Sequence, residues 1–109
     1  MDEETIEKVK TELKKIEGET GISLNQVIVF GSRTREDYTK NSDIDIMMIS
    51  EDFKEIKSAE RPKEFYLRWN YDKLPEPEFI CYTPSEYQKN KKTTGFIAKT
   101  ATENGIKIA

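Results

Sequence analysis

Gln26-Val27-Ile28-Val29-Phe30 is a short apolar run rich in β-branched residues, closed by Gly31-Ser32, and it is answered by Asp43-Ile44-Asp45-Ile46-Met47-Met48-Ile49. Each run has the length and composition of a buried strand. The step of about twelve positions from Gly31 to Asp43 is too short for a crossover through a long helix. The second strand is therefore expected to return antiparallel beside the first. In the second run the acids alternate with isoleucines. Period two puts Asp43 and Asp45 on one face, ~6–7 Å apart along the strand, with Ile44 and Ile46 opposite.

The rest of the chain supplies cover for these strands. Ile6, Val9, Leu13 and Ile16 recur at spacings of three and four, which predicts an amphipathic helix from residue 2 to about 19. Asp2, Glu3 and Glu4 suit the positive end of its dipole, with Asp2 as a cap, and Gly18 and Gly21 mark its end. Residues 32–42 read as a short helix or turn and a loop, and residues 50–60, charged and without a period, as a loop. Pro62 fits the first turn of a helix reaching about Asn70. Its aromatic face, Phe65 and Trp69, is expected to pack on the sheet, while Arg61 and Arg68 read by default as solvated. A connector, Leu74 to Pro77, leads into a third strand, Glu78 to Tyr82, in which Cys81 reads as a small buried hydrophobe. Thr83-Pro84-Ser85-Glu86 has the pattern of a capping box opening a helix to about Lys91. A last helix, Phe96 to Glu103, closes at Asn104-Gly105, and Ile106 to Ala109 forms a short extension compatible with a strand. The expected fold class is α/β (α+β): one domain over residues 1–109, with a small mixed sheet of three or more strands covered by helices.

Composition removes several classes of chemistry. The chain has no histidine, which excludes histidine bases, triads and histidine zinc sites. A metal would have to be held by oxygen ligands, which points to magnesium, calcium or manganese. The net charge of −3 argues against bulk nucleic-acid binding through phosphate neutralisation. No run approaches the ~20 apolar residues of a membrane helix, and the acidic N-terminus is unlike a signal peptide. Cys81 is the only cysteine, so no intrachain disulfide can form and a cytoplasmic setting is expected.

Asp43 and Asp45 sit where an apolar strand begins. Two close carboxylates repel each other, and a divalent cation relieves that repulsion. The plainer reading is a strand edge carrying acids for solubility. Gly31-Ser32 shifts the balance. A glycine at a strand end allows close backbone approach to a ligand, and the turn it opens offers free N–H groups and a hydroxyl for a phosphate. Arg33 and Arg35 are near enough in sequence to offset phosphate charge. Lys40 reads as a solvated charge.

Gly31-Ser32-Arg33-Thr34-Arg35 followed by Ser42-Asp43-Ile44-Asp45-Ile46 resembles the signature of the polymerase-beta-like nucleotidyltransferase superfamily, and most closely its minimal nucleotidyltransferase (MNT) group. The resemblance implies a nucleotidyltransferase-like fold. It also implies transfer of a nucleoside monophosphate, AMP by preference, from a nucleoside triphosphate such as ATP to a hydroxyl. It assigns Gly31, Ser32, Arg33 and Arg35 to the nucleotide and Asp43 and Asp45 to Mg2+, with Mn2+ as the substitute. The third acid of the family maps by count to Glu78, where aspartate is commoner, with Glu76 two positions away. A second departure is Glu36, where the family usually has glycine. In so short a chain the resemblance points to an acceptor on a partner protein, as with MNT antitoxins and their small helical HEPN-type ribonuclease partners. The alternative it leaves open is an antitoxin or binding module with weak or absent catalysis that acts by contact. Self-association is left open.

Overall fold

A computed structural model describes residues 3–30, 44–92, 99, 101, 103 and 105–109. In chain order its elements are α1 (Glu3–Thr20), β1 (Gln26–Phe30), β2 (Ile44–Ile49), two short 3-10 segments (Glu51–Glu55 and Ser58–Glu60), α2 (Lys63–Arg68), β3 (Pro77–Tyr82), α3 (Pro84–Asn90) and β4 (Ile106–Lys107). Lys99, Ala101 and Glu103 are helical, as the reading of a last helix requires. The rest of that helix, and Asp2 as a cap, fall outside the described residues. No helix among the described residues is long and apolar enough to cross a membrane.

Among the described residues the sheet is four-stranded and mixed, in the order β3-β2-β1-β4. β1 and β2 are antiparallel, from Gln26↔Ile49 to Phe30↔Asp45, as the short step between them predicts. β2 and β3 are parallel, from Ile44↔Pro77 to Ile49↔Tyr82, and β4 pairs antiparallel with β1. Both faces are covered, which is why β1 and β2 are apolar along nearly their whole length. On one face Val27, Val29, Ile44, Ile46, Met48 and Phe79 pack with Val9, Leu13 and Ile16 of α1 and Phe65 and Trp69 at α2. On the other, Ile28, Phe30, Met47 and Ile49 pack with Tyr87 of α3 and Ala101.

The covering elements follow from local rules. Of the stripe that the spacing of α1 predicts, Val9, Leu13 and Ile16 are buried and Ile6 is partly buried, and Glu12 is added to it. That carboxylate is tolerated because it accepts the Asn70 N–H at 2.7 Å and faces Lys15 at 3.7 Å. Gly21, at φ +79°, ends the helix and donates its N–H to the Glu17 carbonyl at 2.9 Å. Gly18 lies inside the helix, so only one of the two glycines acts as a stop. α3 opens on the expected capping box, with the Glu86 N–H donating to Thr83 Oγ1 at 3.2 Å and the Thr83 N–H to Glu86 Oε1 at 2.9 Å. Gly105 is required by space. A Cβ there would lie 2.5 Å from the Ala101 carbonyl oxygen and 2.6 Å from Ile28 Cγ2, so the chain could not otherwise pass this close to β1.

Two readings are corrected. Residues 50–60 are not a plain loop. Ser50 accepts the Asp52 N–H and donates to the Ser23 carbonyl, Asp52 accepts the Ser23 N–H at 2.8 Å, and Phe53 is fully buried. Turns this short give no helical period to detect. Arg61 is not solvated but 7% exposed. Its guanidinium donates to the Ile56 carbonyl at 3.0 Å, the Cys81 carbonyl at 3.4 Å and Glu86 at 2.7 Å, and lies 6.0 Å from the centre of the Phe53 ring. It ties together the 3-10 region, the outer edge of β3 and the start of α3.

Candidate active site

The register of the sheet brings acids from separate strands together. Asp45 of β2 and Glu78 of β3 are Cα partners, and Phe30, the last residue of β1, is the partner of Asp45 on the other side. Neighbouring strands lie ~4.8 Å apart, so the two carboxylates spring from adjacent roots. They also share a face. Ile46 and Phe79 pair and enter the core under α1 and α2, while Met47 and Ile80 pair and enter the core under α3. Alternation then sets Asp45 and Glu78 on the α3 face with Phe30. Asp45 is half-buried and Glu78 exposed. Glu76 precedes the strand and is exposed, and its carbonyl accepts the Ile44 N–H at 3.0 Å. The register therefore sets Glu78, not Glu76, beside Asp45.

Gly31, Ser32, Arg33, Arg35, Glu36, Lys40 and Asp43 lie outside the described residues. The residues flanking that segment do not: Phe30 and Ile44 both stand at this end of the sheet, one at the close of β1 and one at the opening of β2. Phe30 and Ile44 thus stand next to the Asp45 and Glu78 positions in the sheet.

The donor set suits a hard divalent cation. Two carboxylates side by side supply oxygen ligands and negative charge, and a cation between them would offset their repulsion. No cluster of three such ligands occurs among the described residues, and Asp43, the remaining acid of the motif, lies outside them.

Other polar groups are engaged elsewhere. Arg68 pairs with Glu64 at 3.1 Å and Glu19 at 3.4 Å, so like Arg61 it is held by protein carboxylates. Arg61 holds the carboxyl of Glu86 below its ordinary range, mainly through their hydrogen bond. Burial pushes the Cys81 thiol up to about 12, so it stays protonated, the behaviour of a packing residue rather than a nucleophile. A groove of about 360 Å³ lies between α1 and the stretch after α2, lined by Glu4, Lys8, Glu12, Asn70, Lys73 and Leu74 among others. A smaller one, of about 230 Å³, lies between α1 and the C-terminal residues. Neither touches Asp45 or Glu78. The larger is lined chiefly by solvated helix-surface groups such as the Lys8–Glu4 pair at 3.2 Å, whereas the carboxylate pair has the arrangement suited to chemistry.

Sequence reading passed over the polar end of Tyr66. The Phe79 N–H donates to its phenol oxygen at 2.9 Å, directly after Glu78. The available signal was a tyrosine in an otherwise apolar aromatic group.

A family profile for the nucleotidyltransferase domain matches residues 6–108. The chain is also similar to a solved protein from Sulfolobus solfataricus, provisionally named a nucleotidyltransferase. Their identity is 23%, the TM-score is 0.59, and the match covers 79% of this chain and 73% of that one. At that identity the likeness establishes the fold, a mixed four-stranded sheet with helices of α+β type. No curated protein matches the chain.

Proposed function

The chain belongs to the nucleotidyltransferase domain family, and from that premise we propose that it transfers a nucleoside monophosphate, AMP by preference, from ATP to a hydroxyl on a partner protein. The observation that carries the reading is the pairing of Asp45 with Glu78 at the end of the sheet where Phe30 leads into Gly31-Ser32.

In this proposal Asp43, Asp45 and Glu78 hold Mg2+, for which Mn2+ can substitute. Bound there, the metal supplies Lewis-acid stabilisation of the attacking and leaving oxygens. Glu78, on the edge strand and exposed, is the acid best able to take the proton of the incoming hydroxyl. Gly31 and Ser32 hold the terminal phosphates by backbone N–H groups and a hydroxyl, and Arg33 and Arg35 offset their charge. The hydroxyl attacks the α-phosphorus in line and pyrophosphate leaves. Most of the rate comes from positioning and charge stabilisation. A cytoplasmic setting and a small helical partner of HEPN type complete the proposal.

The test is incubation with α-labelled ATP, Mg2+ and a candidate partner. Label should move to the partner, and Asp43→Ala and Asp45→Ala should each abolish the transfer. Tight partner binding that survives both changes, with no transfer in the wild type, would replace the proposal with an antitoxin that acts by contact alone.

A further inference from the structure

We infer that Tyr66 is a positioning residue for the carboxylate pair, its phenol oxygen holding the backbone of β3 so that Glu78 stays beside Asp45; this rests on the reading of both acids as metal ligands.

β2 is secured on both sides, by β1 and β3, whereas among the described residues β3 is an edge strand with a partner on one side only. Two carboxylates on adjacent strands repel, and the strand free to yield is β3. Its outer edge is tied by side chains. The Phe79 N–H donates to Tyr66 Oη at 2.9 Å, and the Cys81 carbonyl accepts from Arg61 at 3.4 Å. The first tie is the one next to the site. The peptide plane that carries the Phe79 N–H begins at the Cα of Glu78. Gripping that N–H therefore fixes the backbone on the C-terminal side of Glu78. Two residues before Glu78, the Glu76 carbonyl is held by the Ile44 N–H. Pro77, between these points, has no N–H with which to add a bond of its own.

Tyr66 is itself held firmly. Its ring meets the Phe79 ring edge-on, with centroids 4.9 Å apart. Its N–H donates to the Pro62 carbonyl at 3.0 Å, and its carbonyl accepts the Tyr71 hydroxyl at 2.7 Å. Phenylalanine at 66 would preserve the ring packing. What the hydroxyl adds is the grip on the residue after Glu78.

The experiment measures Mn2+ binding, by loss of the free-ion electron paramagnetic resonance signal, in the wild type, Asp45→Ala, Tyr66→Phe and Glu64→Gln. Asp45→Ala should lose binding. Tyr66→Phe should bind about tenfold more weakly, at the low end for groups that orient metal ligands. Glu64→Gln, which changes an exposed group of the same helix whose partner is Arg68 and not Tyr66, should bind like the wild type, and a loss there equal to that of Tyr66→Phe would overturn the role of Tyr66. A second readout needs no variant. Coupling is reciprocal, so saturating Mg2+ should slow hydrogen exchange of the wild-type Phe79 amide by a comparable factor. Wild-type binding that Asp45→Ala loses and Tyr66→Phe keeps, or Phe79 exchange indifferent to Mg2+, would overturn the role of Tyr66 and leave the site standing. Equal behaviour of the wild type and Asp45→Ala would overturn the site and this inference with it.

Discussion

Replacing Glu86 by glutamine isolates the charge of one ion pair. Glutamine keeps the side-chain oxygen that accepts the Thr83 N–H, so the capping box survives. It also keeps an acceptor for Arg61. What is lost is the counter-charge of a guanidinium that is 7% exposed. Breaking a fully buried pair costs about 3–5 kcal/mol. Here Glu86 is 41% exposed, so water screens the pair, and surface pairs fall at ~0–1 kcal/mol. An intermediate loss of about 1–2 kcal/mol is expected at pH 7. For a domain near 100 residues that lowers Tm by roughly 5–10 °C. The pH dependence has a definite sign. Arg61 depresses the native pKa of Glu86 below its ordinary 4.5, so the stabilisation is fully present above that value. It is lost as pH falls through the depressed native value. Thermal unfolding of both proteins followed by circular dichroism from pH 7 down to about 3 should show a gap that narrows on the acid side. Equal stability at pH 7, or a gap of constant size throughout, would refute the argument.

Three further outcomes follow from packing and burial. Phe53→Ala should cost about 3–5 kcal/mol in urea unfolding, because the ring is fully buried; a loss below 1 kcal/mol would mean that 51–55 is a surface loop after all. Gly105→Ala should destabilise by about 1–3 kcal/mol through overlap with the Ala101 carbonyl and Ile28, and a neutral effect would contradict the close approach to β1. The Cys81 thiol, half-buried and held protonated, should react with a disulfide reagent at pH 8 far more slowly than a free thiol, while reaction at the free-thiol rate would disprove its raised pKa.

The strands were the most readable part of the chain because their apolar runs are dense and their ends carry clear signals. Gln26–Phe30 was bounded to the residue, and the antiparallel return followed from the short step to Asp43. The capping box at Thr83 was equally plain, since it depends on residue types at fixed spacing. Features that depend on distant contacts were hidden. Arg61 is buried only because Glu86, Cys81 and Ile56, from three other parts of the chain, converge on it. Residues 51–60 gave no period because their 3-10 segments are too short to repeat a pattern. At the candidate site, Asp45 could be singled out from alternation within one strand. The neighbour relation of Glu78 depends on the parallel register of two strands separated by α2, which local spacing does not encode.

The central claim is that β2 and β3 join their acids into one metal site serving nucleotidyl transfer. Calorimetric titration of Mg2+ in the presence of ATP, on the wild type, Glu78→Gln and Glu76→Gln, tests it most directly. The register predicts that Glu78→Gln weakens binding about tenfold or more while Glu76→Gln leaves it as in the wild type. Equal binding by all three, or a loss confined to Glu76→Gln, would contradict it.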